Sequence, residues 1–125
     1  MKLRIKGNSI RLRLTQTEVN HLAAGMSVVE STVFSVYDTL KVELQPWLLE
    51  ATEVWLDKGI ILVRQPESVI KEWAESDMVS MSAVVDNGQP GGLSVLIEKD
   101  FACLAERSGE DESDQFPNPQ QGNKC

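Results

Sequence analysis

The sequence predicts an α+β fold: a mainly antiparallel sheet, or a partly open barrel, of about seven to eight strands with two short helices. Two observations carry this. Short apolar-alternating segments recur along the chain and are separated by two- to seven-residue turn signals, which favour hairpins and antiparallel pairing. Only two segments, near residues 16–24 and 67–75, have the spacing and start signals of helices. The resulting order is strand, strand, helix, four strands, helix, strand, strand.

The opening stretch MKLRIKGNSIRLRL has apolar residues at 3 and 5, then at 10, 12 and 14. The change of parity rules out one straight strand. A bulge at Gly7 repairs it, and so does a hairpin turning at Gly7-Asn8, where both residues tolerate positive φ. The hairpin is preferred. Its register pairs Lys6 with Ser9, Ile5 with Ile10, Arg4 with Arg11, Leu3 with Leu12 and Lys2 with Arg13. Leu3, Ile5, Ile10 and Leu12 then share one face, and all five basic residues share the other.

Thr15-Gln-Thr-Glu18 fits a capping box for a helix from about Gln16 to Ala24, stopped at Gly25, with Val19, Leu22 and Ala23 as its apolar stripe. SVVESTVFSV is rich in β-branched residues, and TLKVELQ alternates with Leu40, Val42 and Leu44 inward until Pro46 ends it. ATEVWL and IILVRQ flank Asp57-Lys58-Gly59, read as a three-residue hairpin loop. Pro66-Glu67 opens the second helix, with Val69, Ile70, Trp73 and Ala74 facing the core. DNGQPGG joins VSMSAVV to LSVLIEK in a third hairpin. The boundary of the domain falls near residue 105. Residues 106–125 read as an acidic, proline-containing mobile tail, with Phe116 as the residue that would dock it.

At 125 residues the chain suits one domain that needs no metal or disulfide to fold. The net charge of −7 is unevenly spread. Residues 1–20 are net +4, residues 21–105 net −8 and residues 106–125 net −3. Overall acidity argues against general nucleic-acid binding, which needs a basic face to neutralise phosphates. No apolar run reaches the length of a membrane span, and four basic residues interrupt any signal-peptide core, so a cytoplasmic protein is expected. Two cysteines, Cys103 and Cys125, without a Cys-x-x-Cys pair, and the single His21 offer no metal framework. No Ser-His-Asp set, Walker loop or Gly-x-Gly-x-x-Gly motif occurs, so no catalytic residue, metal or cofactor is assigned.

The ends of the chain resemble a family of small uncharacterised bacterial proteins, a domain of unknown function. The residues that carry this are the start Lys-x-Arg-Ile-Lys-Gly-Asn-Ser at 2–9, Glu98-Lys99-Asp100-Phe101-x-Cys103-Leu104, and Phe116-Pro-Asn-Pro119. The resemblance implies one compact unit joining both ends and implies no activity. Triphosphate-hydrolysing tunnel barrels, by contrast, begin with alternating glutamates and a lysine. Lys2, Arg4 and Lys6 stand here instead, which disfavours that chemistry.

The candidate working surface is the basic face of Lys2, Arg4, Lys6, Arg11 and Arg13. Like-charged cross-strand pairs cost up to ~1 kcal/mol each unless an acid neutralises them. Arginine grips carboxylate or phosphate through two bonds. Three partners are open. One is the chain's own carboxylates, either Glu98 and Asp100 or the tail run Glu110, Asp111, Glu112 and Asp114. The second is an acidic segment of another protein. The third is a phosphate-type ligand or nucleotide held by a small enzyme or sensor. The leading expectation is a non-catalytic binding or adaptor domain. Cys103 is expected to be a buried inert thiol, His21 a surface residue, Trp73 core, and Trp55 an outward tryptophan that covers a helix or marks an interface.

Overall fold

A computed structural model describes residues 1–101 together with Asp114 and Phe116. Eight strands and two helices follow in the expected order: β1 (Lys2–Ile5), β2 (Ser9–Leu14), α1 (Gln16–Ala23), β3 (Val28–Val33), β4 (Thr39–Trp47), β5 (Glu53–Asp57), β6 (Ile60–Pro66), α2 (Glu67–Glu75), β7 (Ser80–Val85) and β8 (Leu93–Lys99). The α+β class holds. Consecutive strands pair as four antiparallel hairpins, β1–β2, β3–β4, β5–β6 and β7–β8.

The sheet is not single and not wholly antiparallel. The hairpins associate two by two into separate four-stranded sheets, ordered β1-β2-β8-β7 and β3-β4-β6-β5. Each is joined at its centre by a parallel pair, β2 with β8 and β4 with β6. No barrel closes. Both sheets have one connectivity: two hairpins meeting through a parallel pair, with a helix leaving one of the two central strands. Residues 28–75 form one such unit without interruption. The other is assembled from the two ends of the chain, β7–β8 and β1–β2–α1.

The hydrophobic core lies between the inner faces and the helices. The first sheet contributes Leu12, Leu14, Val95 and Ile97, the second Leu44 and Val63, and the helices Val19, Leu22, Ile70 and Trp73, all almost wholly buried. Helix α1 packs on α2 and reaches β3 of the other sheet, while α2 touches strands of both. The helices therefore tie the two sheets together.

Local chemistry accounts for the turns. Lys6 and Ser9 exchange both backbone hydrogen bonds at 3.1 Å, and Gly7 takes the positive φ of 53° that the first loop position requires. The predicted register is present in full, with Lys2↔Arg13, Leu3↔Leu12, Arg4↔Arg11 and Ile5↔Ile10. Ile5 sits on the expected face but is 56% exposed, because it lies at the turn end beyond the core. The Asp57-Lys58-Gly59 loop is tighter than expected. Asp57 pairs with Ile60, so only Lys58 and Gly59 form the loop, both with positive φ (49° and 77°), as a type I′ turn demands. Pro46 does not end β4, which continues to Trp47. It pairs in parallel with Gln65, where a proline is tolerated if its nitrogen is not called on by the ladder. The capping box of α1 is complete, with the Thr15 hydroxyl accepting from the Glu18 amide and the Glu18 carboxylate accepting from the Thr15 amide.

Candidate functional site

The outer face of the first sheet is built from rows of side chains that run across the strands. The registers place Lys2, Arg13, Glu98 and Ser80 in one row and Arg4, Arg11, Leu96 and Ser82 in the next. Lys6, Ser9, Ser94 and Val84 form the third, at the turn end of the β1–β2 hairpin. All five predicted basic residues therefore lie on one face, and the parallel β2–β8 pairing sets Glu98 beside them.

The ladder is divided electrostatically. Glu98, largely buried, accepts from Arg13 Nε at 2.6 Å and lies 3.6 Å from Arg11 Nε. Lys2 Nζ is 3.2 Å from the buried carboxylate of Asp100. The chain's own carboxylates thus neutralise the end near Lys2 and Arg13, as the spacing of Glu98 and Asp100 allowed. At the other end, no carboxylate among the described residues pairs with Arg4 or Lys6. These two, with Arg11 and Ser9, line a shallow, open depression of about 250 Å³. The Ser9 hydroxyl is turned to the Lys6 carbonyl at 2.6 Å, which tightens the turn beneath them.

Glu98-Lys99-Asp100-Phe101 explains its own composition. The chain alternates faces at the end of β8. Glu98 faces outward to the arginines. Lys99 turns inward, 7% exposed, and donates to the Ser76 carbonyl at 2.8 Å. Its ammonium lies 5.8 Å from the Trp73 ring centre and 5.3 Å from that of Phe116, so two aromatic faces solvate it in part. Burial pushes the Lys99 pKa down, and Asp77 opposes that shift. Asp100 holds Lys2 through its side chain, while its backbone donates to Leu14 and accepts from Phe116, each at 2.8 Å. Phe101 meets Phe116 edge to face at 5.5 Å.

Phe116 packs against the core, the condition under which the sequence would let the tail dock. Asp114 is placed at the N-terminus of α1. Its carbonyl accepts from the Gln16 amide at 2.9 Å, and its Oδ1 accepts from the Thr17 hydroxyl at 2.9 Å and the Thr17 amide at 3.2 Å. A carboxylate there meets unpaired amides and the positive end of the helix dipole. Glu110, Asp111, Glu112, Cys103 and Cys125 lie outside the described residues, as does most of the expected tail. His21 is exposed on α1. No group of three or more metal-ligating side chains occurs among the described residues.

The second sheet carries a different surface at the same topological position. Arg64 of β6 lies over both Trp47 and Trp55, 4.4 and 4.9 Å from the ring centres, and donates to Gln45 Oε1 at 2.8 Å. Trp55 is outward, as its parity indicated, and nearly half exposed. Its contact with Arg64 is not among the expectations drawn from the sequence. The signal was present, since Arg64 and Trp55 both fall on the outward parity of the β5–β6 hairpin.

The fold and this surface define a small α+β domain with a half-neutralised basic sheet face. The chain belongs to DUF7009, a family of unknown function, whose model matches residues 1–120. That match takes in both ends of the chain and covers nearly all of it. No curated protein and no solved structure matches the chain. No helix among the described residues is long and apolar enough to cross a membrane.

Proposed function

We propose that the protein is a non-catalytic binding domain of the cytoplasm that receives an acidic segment of another protein on the turn end of its basic face. The observation that carries this reading is the division of the ladder. Glu98 and Asp100 occupy Lys2 and Arg13, while Arg4 and Lys6 line one depression with Arg11 and, among the described residues, pair with no carboxylate. Holding like charges together costs stability, so an external acid gains by relieving it. The surface is shallow and open. An enclosed phosphate or nucleotide site would surround its ligand with donors and exclude water. An acidic protein segment needs neither.

The test is a binding titration with a fluorescent glutamate- and aspartate-rich peptide, run beside a thermal-shift screen with phosphate, polyphosphate and nucleotides. The expected result is peptide binding that weakens with salt and is lost in Arg4→Glu/Lys6→Glu. A melting temperature raised by a nucleotide or polyphosphate, with no peptide binding, would replace this reading with the phosphate-ligand one.

A further inference from the structure

The basic depression does not end at Arg11. A second and larger depression, about 600 Å³, lies on the same sheet face and shares Ser9 and Arg11 with the first as a common wall. It is lined by Ser82 and Ser94, with Val84 and Leu96 beside them. The serines cause it. Ser9, Ser94 and Ser82 stand on three adjacent strands where larger side chains would fill the outer face. Val84 is 69% exposed and is the apolar end of the third row. Read across the strands, that row changes from cation to hydroxyls to hydrocarbon: Lys6, Ser9, Ser94, Val84. The neighbouring row runs from Arg4 and Arg11 to Leu96 and ends on Ser82, so its apolar residue stands on β8, one strand nearer the cations than Val84.

We infer that the two depressions form one site for an extended peptide segment lying across the sheet, with its carboxylates over Arg4, Lys6 and Arg11 and an apolar side chain over Leu96 and Val84. This rests on the reading of the basic face as an acidic-segment site and specifies the partner's sequence chemistry. Charge complementarity fixes the acidic end, and the serine floor leaves the room for the backbone between. The spacing follows from the sheet. Four strands about 4.8 Å apart span about 14 Å, which an extended chain at about 3.4 Å per residue covers in roughly four residues. The apolar residue therefore stands three to four positions from the carboxylates along the segment. The backbone between them meets the hydroxyls of Ser9, which can accept while it donates to the Lys6 carbonyl, and of Ser94, which can donate or accept.

The experiment compares two labelled peptides by fluorescence anisotropy. One carries a glutamate pair followed four positions later by leucine, and the other has serine in place of that leucine. The leucine peptide should bind at least ~10-fold more tightly, a margin equal to about 1.4 kcal/mol. Val84→Ser, which removes the apolar wall, should erase that margin, and Ser94→Trp, which fills the larger depression, should erase it and weaken the serine peptide as well. Arg4→Glu/Lys6→Glu should abolish binding of both. Thermal melts establish that each variant is folded. Equal affinity for the two peptides, untouched by Ser94→Trp and Val84→Ser, overturns the inference and leaves the basic-face reading standing. Binding of neither peptide overturns both.

Discussion

At the scale of single residues, Glu98 and Lys99 show how adjacent positions take unlike duties. Glu98 serves two arginines, so its loss leaves both cations beside Arg4 with nothing between them. Glu98→Gln should destabilise the fold by about 1–2 kcal/mol, within the range for a charge-assisted bond between a largely buried carboxylate and partly exposed arginines. Added salt should recover part of the loss by screening the remaining repulsion, and urea melts at low and high ionic strength would read both effects. Lys99 gives a pH dependence. Burial disfavours its charged form, so its folded pKa lies below that of the unfolded chain, near ~10.4. Between those two values the unfolded state holds the proton that the folded state has released. Stability from this group therefore rises with pH across that window and levels off above the unfolded value. Lys99→Met, which keeps the apolar stem, should remove that alkaline rise. Urea midpoints measured from pH 8 to 10.5 check it, and an unchanged slope in the variant would exclude Lys99 as the source.

At the scale of elements, the turns separate two costs that glycine substitution usually mixes. Gly7 and Gly59 both have positive φ, 53° and 77°. A Cβ on Gly7 meets nothing within 4 Å, whereas on Gly59 it would stand 2.8 Å from the Thr39 carbonyl oxygen. Gly7→Ala should therefore cost only the left-handed backbone penalty, about 1–2 kcal/mol. Gly59→Ala pays that penalty and must also push β4 away from the β5–β6 turn, for a total of about 2–4 kcal/mol. Melting temperatures of the two variants should fall in that order. The capping box and the docked Asp114 explain in the same local terms why α1, only eight residues long, is held at its N-terminus from two sides.

At the scale of the whole molecule, the unit made from the chain's ends is the one that carries the candidate site. β2 and β8 are remote in sequence, yet their pairing aligns the basic row with Glu98 and the serine floor. Phe116 and Asp114 fasten the later chain to the end of β8 and to α1. Because the helices tie the two sheets through one core, the molecule should unfold as one cooperative unit. Phe116→Ala tests this. Removing a half-buried ring should lower stability by about 1–2 kcal/mol. It should also shift the fluorescence transition, measured in a Trp73→Phe background so that Trp47 and Trp55 on the other sheet report, together with the far-ultraviolet dichroism transition. Separation of the two would show that the sheets unfold independently.

Much of this was legible in local sequence because its causes are local. Parity fixed the faces and register of the first hairpin, Thr15 and Glu18 announced the cap, and glycines marked the turns. The grouping of five basic residues on one face follows from that register alone. Hairpin signals also made every strand look antiparallel, since a turn reports only the partner on its other side. The parallel pairs β2–β8 and β4–β6 join strands that no short turn connects, so nothing in their neighbourhood announces them. Their pairing depends on which inner faces, once the helices have covered them, can be buried together. That choice decided that there are two sheets, that Glu98 lies between Arg11 and Arg13, and that Arg4 and Lys6 are left with a serine-floored groove beside them. Local sequence sets which residues are basic and which way they point. Which of those charges are already answered depends on long-range pairing, because the answering carboxylates, Glu98 and Asp100, come from a strand remote in sequence.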